Sequence, residues 1–157
     1  MDSNNKLFIQ GKISSSEIEE LRKELNQQDF EISKATTLGH GENELLKLIF
    51  QDFHVICFAR DFILSVYLTS ILTKFQKVFK SLNNRNKKVD NFIAKCEIKN
   101  SNGDIIFLTF TAAPEKFEVL IKQSEITIDL KLIDSPGINN NIYIELDTDN
   151  NIKFTKI

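Results

Sequence analysis

The sequence predicts a single α+β domain, in which a mainly antiparallel sheet of about five to seven strands packs against a long apolar helix and two to three shorter helices. Two observations predict this class. Apolar residues recur at helical spacing through much of the first half of the chain, and they alternate with polar residues from Phe92 onward. The chain has 157 residues, enough for one core. We expect this domain to span 1–157, with the core at about 6–133 and a C-terminal β-hairpin at about 141–157.

The first elements should be a strand, a capped helix and a second strand. Lys6–Gln10 is apolar at its centre and predicts a short strand. Ser14 with Glu17, or Ser16 with Glu19, fits a capping box, and Ile and Leu residues then recur at three- and four-residue spacing. This pattern predicts an amphipathic helix ending near residue 26. Alternation at 30–34 predicts a half-buried strand before a glycine-containing loop.

The stretch 44–82 is the most apolar part of the chain. Its longest uncharged run after Asp61 covers 62–73, about half of the roughly 20 residues that a bilayer requires, so we expect no transmembrane segment. At 45–59 the apolar residues are too dense for one stripe. Length and the lack of Gly or Pro favour a helix there, whereas the β-branched pair Val55-Ile56 favours a strand at 53–59. We predict a helix at 45–59, followed by the long apolar helix at about 62–83.

The second half of the chain should contain two hairpins and a short helix. Residues 92–99 alternate, Asn102-Gly103-Asp104 supplies a turn, and 105–111 completes the first hairpin. Ala113-Pro114-Glu115 predicts a helix start, because Pro is favoured at the first helical position, and this helix should run to about Gln123. Alternation predicts a strand at 126–133. A closing hairpin should pair 142–147 with 152–154.

Composition narrows the classes of function. A formal net charge of −2 gives no global attraction to nucleic acid, so no nucleic-acid partner is indicated. The two cysteines lie in apolar segments and fit reduced thiols, and Met1 is followed by polar residues rather than a secretory signal. We therefore expect a cytoplasmic protein. No motif implies a cofactor.

Three groups of residues could carry chemistry, but each has a stronger structural explanation. His40 and Glu42 lie in a glycine-flanked loop that could face a ligand, although an exposed turn explains them better. His54 and Cys57 are three residues apart and would share a helical face, although a buried Cys beside a hydrogen-bonded His is the better explanation. A third group resembles part of a calcium loop, although a hairpin turn explains it better: Asp147, Asp149, Asn150 and Asn151. The sequence thus predicts no catalytic residue and no metal site.

One stretch of the chain is strongly basic, with no acidic residue from Phe62 to Val89. Cations at the C-terminal end of a helix complement its dipole, and this solvated helix end is the structural explanation. An acidic protein partner would fit the same surface. The candidate partner-binding residues are Lys74, Lys77, Lys80, Arg85, Lys87 and Lys88.

The order of predicted elements resembles the small bacterial module called the effector-associated constant component. The matching features are Glu20-Leu21-Arg22-Lys23-Glu24-Leu25 in the first helix, Gly41-Glu42 before the apolar helices, and Asn102-Gly103-Asp104 between strands. They lie between Lys6 and about Ile126. The resemblance implies an adaptor-like module of bacterial conflict systems, which links an effector such as a protease or nucleotidase to a sensing component. It implies no catalytic residues.

The leading functional expectation is therefore a non-enzymatic protein-interaction module, either an adaptor or an immunity-type inhibitor that binds an effector or toxin. The recognition surface should be a sheet face, an exposed edge or the basic stretch. Two alternatives are a small enzyme that uses His40 or His54 with Cys57, and a peripheral membrane protein that uses 44–82. The sequence leaves open whether the chain forms a homo-oligomer.

Overall fold

A computed structural model describes residues 6–25, 31–35, 45–57, 64–99, 104–127 and 141–156. These residues form seven strands and three α-helices, and a short 3₁₀ turn at Pro114–Lys116 precedes the last helix. In chain order the elements are β1 (Lys6–Gln10), α1 (Ser15–Leu25), β2 (Glu31–Lys34), β3 (Leu46–Cys57), α2 (Leu64–Asn84), β4 (Val89–Lys99), β5 (Ile105–Ala112), α3 (Phe117–Thr127), β6 (Asn141–Leu146) and β7 (Ile152–Lys156).

The seven strands form one mixed sheet in the order β2-β1-β3-β4-β5-β6-β7. Each of the pairs β1/β2, β3/β4 and β5/β6 is parallel, and a helix lies between the two strands of each pair in the chain. The pairs β1/β3, β4/β5 and β6/β7 are antiparallel. The prediction of a mainly antiparallel sheet is therefore wrong. A crossover through a helix returns the chain in its original direction, so each of the three helices generates a parallel pair.

One face of the sheet is buried against the helices. The strand register places buried side chains next to one another across five strands, in the order Leu7, Phe50, Ala94, Phe110 and Ile144. All three helices add residues to this same hydrophobic core; examples are Leu21, Phe75 and Phe117. The single α+β domain thus has a helical layer on one side of its sheet. The described part of the chain places no helix on the other side.

Helix α2 is long, as predicted, but it is amphipathic rather than apolar. Its bounds lie within two residues of the predicted range. Phe75, Val78 and Leu82 are buried at helical spacing, whereas Gln76 and Lys77 are exposed. The prediction of a long apolar helix is corrected accordingly. Its apolar stripe covers the sheet and its polar stripe faces solvent.

The predicted helix at 45–59 is also wrong, because this segment forms strand β3 through Cys57. Leu46, Leu48 and Phe50 are buried, and the strand pairs with both β1 and β4. These buried residues stand at alternate positions, as in a strand with one buried face, but the apolar Ile49 between them obscures the alternation in the sequence. The predicted strand at 126–133 fails at its start, since Ile126 and Thr127 belong to α3. Residues 128–133 lie outside the described residues.

Several local predictions are confirmed. Ser14 N–H donates to Glu17 Oε2 over 2.8 Å, and Glu17 N–H donates to Ser14 Oγ over 3.2 Å, so the capping box forms. The predicted hairpin strands pair antiparallel as β4 with β5 and as β6 with β7. Gly11, which follows β1, has a φ of +129°, and a Cβ there would lie 2.7 Å from the carbonyl oxygen of Leu45. Glycine is therefore required at this close approach between chain segments.

Candidate functional site

The helix-free face of the sheet presents a cluster of apolar side chains to solvent. Four large hydrophobic residues are exposed in the described part of the chain, namely Leu45, Ile105, Phe107 and Tyr143. Phe107 is 45% exposed and Tyr143 is 42% exposed. Ile105 and Phe107 lie two residues apart on β5, and Tyr143 lies on the adjacent β6. Because side chains alternate along a strand, these three share the face opposite the core. We call Ile105, Phe107 and Tyr143 the sheet-face patch.

Polar side chains surround the sheet-face patch. The register places Lys95 beside Thr109 and Thr109 beside Tyr143, while Glu97 pairs with Phe107. These residues help to line a shallow depression of about 200 Å³. Surfaces that bind proteins combine an apolar, aromatic-rich centre with a polar rim of both charges. The sheet-face patch has this composition.

A second concave surface lies between α2 and the beginning of α3. It is a groove of about 570 Å³ whose floor includes the rings of Phe75, Phe79 and Phe92. The centroid of the Phe92 ring is 4.4 Å from that of Phe75 and 4.9 Å from that of Phe79. Lys80 lies on the α2 side, and Glu115 and Glu118 lie on the opposite side. An apolar floor with a few polar groups around it is typical of a binding site.

The predicted basic surface divides into two parts, because α1 supplies carboxylates to part of it. Arg85 lies 2.5 Å from Glu20 and 3.1 Å from Glu24. Lys87 lies 3.2 Å from Glu17, and its ammonium also donates to a backbone carbonyl of the α1 entry loop. Arg85 and Lys87 therefore join the end of α2 to α1. The sequence contains these acids, but their proximity to α2 is a tertiary contact that local patterns do not contain.

These contacts shift the pKa values of the groups involved. The pKa of Glu17 is lowered, chiefly because its carboxylate accepts the Ser14 backbone N–H, with a further contribution from Lys87. Ser81 and then Arg85 lower the pKa of Glu24. The buried Ser81 hydroxyl is the first cause of this lowered pKa, and Arg85 contributes through its ion pair with Glu24 at 3.1 Å. Ionised carboxylates thus stabilise the α1–α2 contact.

The remaining basic residues lie apart from that contact. Lys77, Lys80 and Lys88 are exposed, and Lys80 also borders the groove. Lys74 is half-buried, with its ammonium 5.8 Å from the centroid of the Phe50 ring, a cation–π distance. Of the six predicted partner-binding residues, Lys77 and Lys80 therefore share the outer side of α2, while Lys88 follows the helix end.

Among its described residues, the structure brings none of the other predicted candidates together. His40 and Glu42 lie outside the described residues. His54 and Cys57 both belong to β3, whose register shifts between Asp52 and Ile56, so the helical spacing that would place them on one face does not exist. Nowhere in the described ranges do three or more His, Cys, Asp or Glu residues form a group suited to a metal ion.

The candidate calcium loop is a hairpin turn between β6 and β7. Asp147 Oδ1 accepts the backbone N–H groups of Asp149 and Asn151, each over 2.9 Å. Asn150 has a φ of +62°, a conformation that Asn tolerates well. Its side-chain oxygen also accepts a hydrogen bond from Lys116. These interactions account for the Asp and Asn residues as turn formers.

Sequence reasoning missed both the sheet-face patch and the groove. A signal for the patch was present in the sequence, because β5 reads Ile-Ile-Phe-Leu-Thr-Phe-Thr-Ala and its first four residues are apolar at both odd and even positions. A strand buried on one face only should show alternation instead. The groove had no such signal, since it depends on how α2 and α3 pack.

None of the helices in the described ranges is long and apolar enough to cross a membrane. Comparisons with protein-family models, with curated proteins and with solved structures find no match to this chain.

Proposed function

We propose that this chain is a non-enzymatic protein-interaction module of a bacterial conflict or defence system, acting as an adaptor or as an immunity-type inhibitor of an effector protein. The observation that supports binding is the sheet-face patch, where three of the four exposed large hydrophobic residues in the described ranges lie on the same face of the neighbouring strands β5 and β6. Contiguous exposed apolar surface is typical of interaction sites. The bacterial conflict setting comes from the sequence resemblance alone.

The patch supplies both affinity and orientation in this proposal. Phe107 and Tyr143 act as aromatic anchors, a residue class in which truncation at a buried interface often costs about 2 kcal/mol or more. Lys95 and Glu97 flank them with opposite charges. A partner should therefore present an apolar centre with acidic and basic groups at its edge, and the charges should fix its orientation.

The two alternative functions have less support. The enzyme alternative relied in part on a helical His54–Cys57 pair, and both residues lie in β3. The membrane alternative requires 44–82 to release apolar side chains into lipid. Leu48, Phe50 and Phe75, from that segment, are buried in the core. Moving these side chains into lipid would remove them from the core and destabilise the fold, which argues against the membrane alternative.

The test compares three tagged proteins as baits in lysate of the native source: the unmodified chain, Phe107→Asp and Lys77→Glu. Phe107→Asp places a charge in the sheet-face patch, whereas Lys77→Glu reverses a charge on the helical side of the sheet. Circular dichroism and urea unfolding first establish that both variants fold. Quantitative mass spectrometry then measures which proteins co-purify at near-stoichiometric amounts. Any partner is made as a recombinant protein, and its enzymatic activity is assayed with and without the unmodified chain.

We expect one effector-like partner that Phe107→Asp loses and Lys77→Glu retains, and a change in its activity on binding would identify the inhibitor role. Loss on Lys77→Glu alone would move the site to the basic surface of α2. A folded bait without any partner, or a partner kept by both variants, would contradict the sheet-face proposal. A partner whose activity is unaffected would contradict the inhibitor role and leave only the adaptor role.

A further inference from the structure

We propose that the groove between α2 and α3 is a second, independent binding site, and that its occupant is an amphipathic α-helix of a partner protein. The groove lies on the helical side of the domain, whereas the sheet-face patch lies on the opposite side of the sheet. The two sites share no lining residue. This inference therefore does not depend on the function proposed for the patch.

The shape of the groove fits a helix. The part of α2 that lines it runs from Leu72 to Asn83 and is about 16 Å long at 1.5 Å per residue. Residues on its rim, such as Gln76 and Asn83, are exposed, so the groove is an open trough. Three turns of helix cover that length, and apolar anchors at positions i, i+3 or i+4, and i+7 would meet the floor.

Backbone hydrogen bonding favours a helix over an extended peptide. One long wall is α2, whose mid-helix backbone groups are engaged within the helix, and the opposite side is formed by the 3₁₀ turn and by Glu118 in the first turn of α3. A bound strand would find no sheet edge there and would leave its own N–H and C=O groups unpaired. A helix satisfies those groups internally and presents only side chains.

The floor supplies the contact surface. Phe79 is half-buried and packs edge-to-face on the buried ring of Phe92, so part of the Phe79 ring faces the groove. Leu72 extends the apolar surface by two further turns along α2. Leucine, isoleucine or phenylalanine side chains of a partner helix would bury this surface and remove it from water.

Charges on the rim specify the polar flanks of the partner. Glu115 and Glu118 are exposed on the α3 side, and Lys80 is exposed on the α2 side. Within the described ranges none of these three groups forms an ion pair. The rim thus carries two negative charges against one positive charge. A helix with Lys or Arg beside its apolar stripe is complementary, and one with Asp or Glu there is repelled.

The test uses three fluorescein-labelled 16-residue helical peptides with the same stripe of leucines. Their flanking positions carry Lys and Gln, only Gln, or Glu and Gln. Fluorescence anisotropy gives the Kd of each peptide for the unmodified chain, for Glu115→Lys/Glu118→Lys, for Phe79→Lys and for Phe107→Asp. Amide chemical shifts from NMR identify the residues that each peptide touches.

We expect the Lys peptide to bind at least tenfold more tightly than the Glu peptide, with shifted amides on α2 and α3. Glu115→Lys/Glu118→Lys should reverse that preference. Phe79→Lys should abolish binding, and Phe107→Asp should leave it unchanged. Because the double variant changes only exposed side chains, it should fold, so a reversed preference does not depend on disturbing the core.

Three results would overturn the proposal. One is a preference that survives charge reversal at Glu115 and Glu118. Another is amide shifts confined to β5 and β6, which would place the peptide on the sheet-face patch. The third is a groove that binds a small aromatic probe such as anilinonaphthalene sulfonate but no peptide at 1 mM, which would assign it to a small apolar ligand. None of these results bears on whether a partner is lost by Phe107→Asp in the lysate experiment.

Discussion

Removing the same aromatic ring from each side of the sheet should have very different effects on stability. Phe75 is 1% exposed, and its ring centroid lies 5.8 Å from that of Phe50, 4.4 Å from that of Phe92 and 5.8 Å from that of Phe117. Truncation of a buried Phe to Ala costs about 3–5 kcal/mol, and lost aromatic pairing favours the upper end of this range. We therefore expect Phe75→Ala to lose about 5 kcal/mol.

The matched substitution Phe107→Ala should be mild. Full burial of a Phe side chain is worth about 1.5–3 kcal/mol, and Phe107 retains 45% exposure, so roughly half of that value applies. We expect a loss of about 1 kcal/mol. The unfolding equilibrium constants of the two variants should thus differ by a factor of about 1,000, since each 1.4 kcal/mol corresponds to a factor of ten.

Urea unfolding followed by circular dichroism measures both losses. With a slope of about 2 kcal/mol per molar urea, the midpoint should fall by about 2.5 M for Phe75→Ala and by about 0.5 M for Phe107→Ala. Phe75→Leu keeps most of the side-chain volume and provides a folded variant if Phe75→Ala is too unstable to purify. Equal losses at Phe75 and Phe107 would refute the reasoning, because they would show that the second face of the sheet is covered as completely as the first.

Three further predictions concern the stability of the fold away from the two proposed binding surfaces. Gly11→Ala should lose about 2 kcal/mol or more in urea unfolding, because of its φ of +129° and the backbone oxygen that its Cβ would meet; a neutral result would show that the loop relaxes freely. Arg85→Glu should lower the thermal midpoint by several degrees and Lys77→Glu should not, because of these two residues Arg85 alone pairs with α1; equal shifts would contradict this role of the ion pairs. Stability should also fall on acidification: the folded-state pKa values of Glu17 and Glu24 lie below 4.5, so their contribution is present above pH 4.5 and is lost as the pH falls through those lowered values. Between pH 7 and pH 3, the free energy of unfolding should fall less steeply with pH in Glu17→Gln/Glu24→Gln than in the unmodified chain. The same steepness in both proteins would argue against the lowered pKa values.

The elements that local sequence could predict are those whose signals are local. Ser14 and Glu17 form the predicted capping box because its partners are three residues apart. Helix α2 lies within two residues of its predicted range of about 62–83 because a sustained run of apolar residues is also a local signal. The hairpins β4–β5 and β6–β7 were predicted because each joins consecutive strands in the chain.

The parts that could not be predicted depend on contacts between distant segments. The segment of β3 was predicted as a helix because its dense apolar residues obscure the alternation of Leu46, Leu48 and Phe50, and because its partners β1 and β4 are distant in sequence. The parallel pair β3/β4 could not be predicted once β3 was assigned to a helix, whereas the order strand–helix–strand at β1–α1–β2 did carry a signal for parallel pairing. The division of the basic surface came from Glu20 and Glu24 on α1, which are far in sequence from Arg85.

Strand β4 lies between the two proposed binding surfaces and belongs to both. Its Phe92 forms part of the groove floor, while Lys95 and Glu97 line the depression beside the sheet-face patch. Alternation along the strand directs Phe92 to one face and Lys95 to the other, so the same short segment contacts both sites without sharing a side chain between them. Partners on the two surfaces are separated by the sheet itself and would not collide. Because β4 is hydrogen-bonded to β3 on one side and to β5 on the other, it holds both surfaces in a fixed relation. This arrangement suits an adaptor better than an inhibitor, since an inhibitor needs one surface and an adaptor needs two.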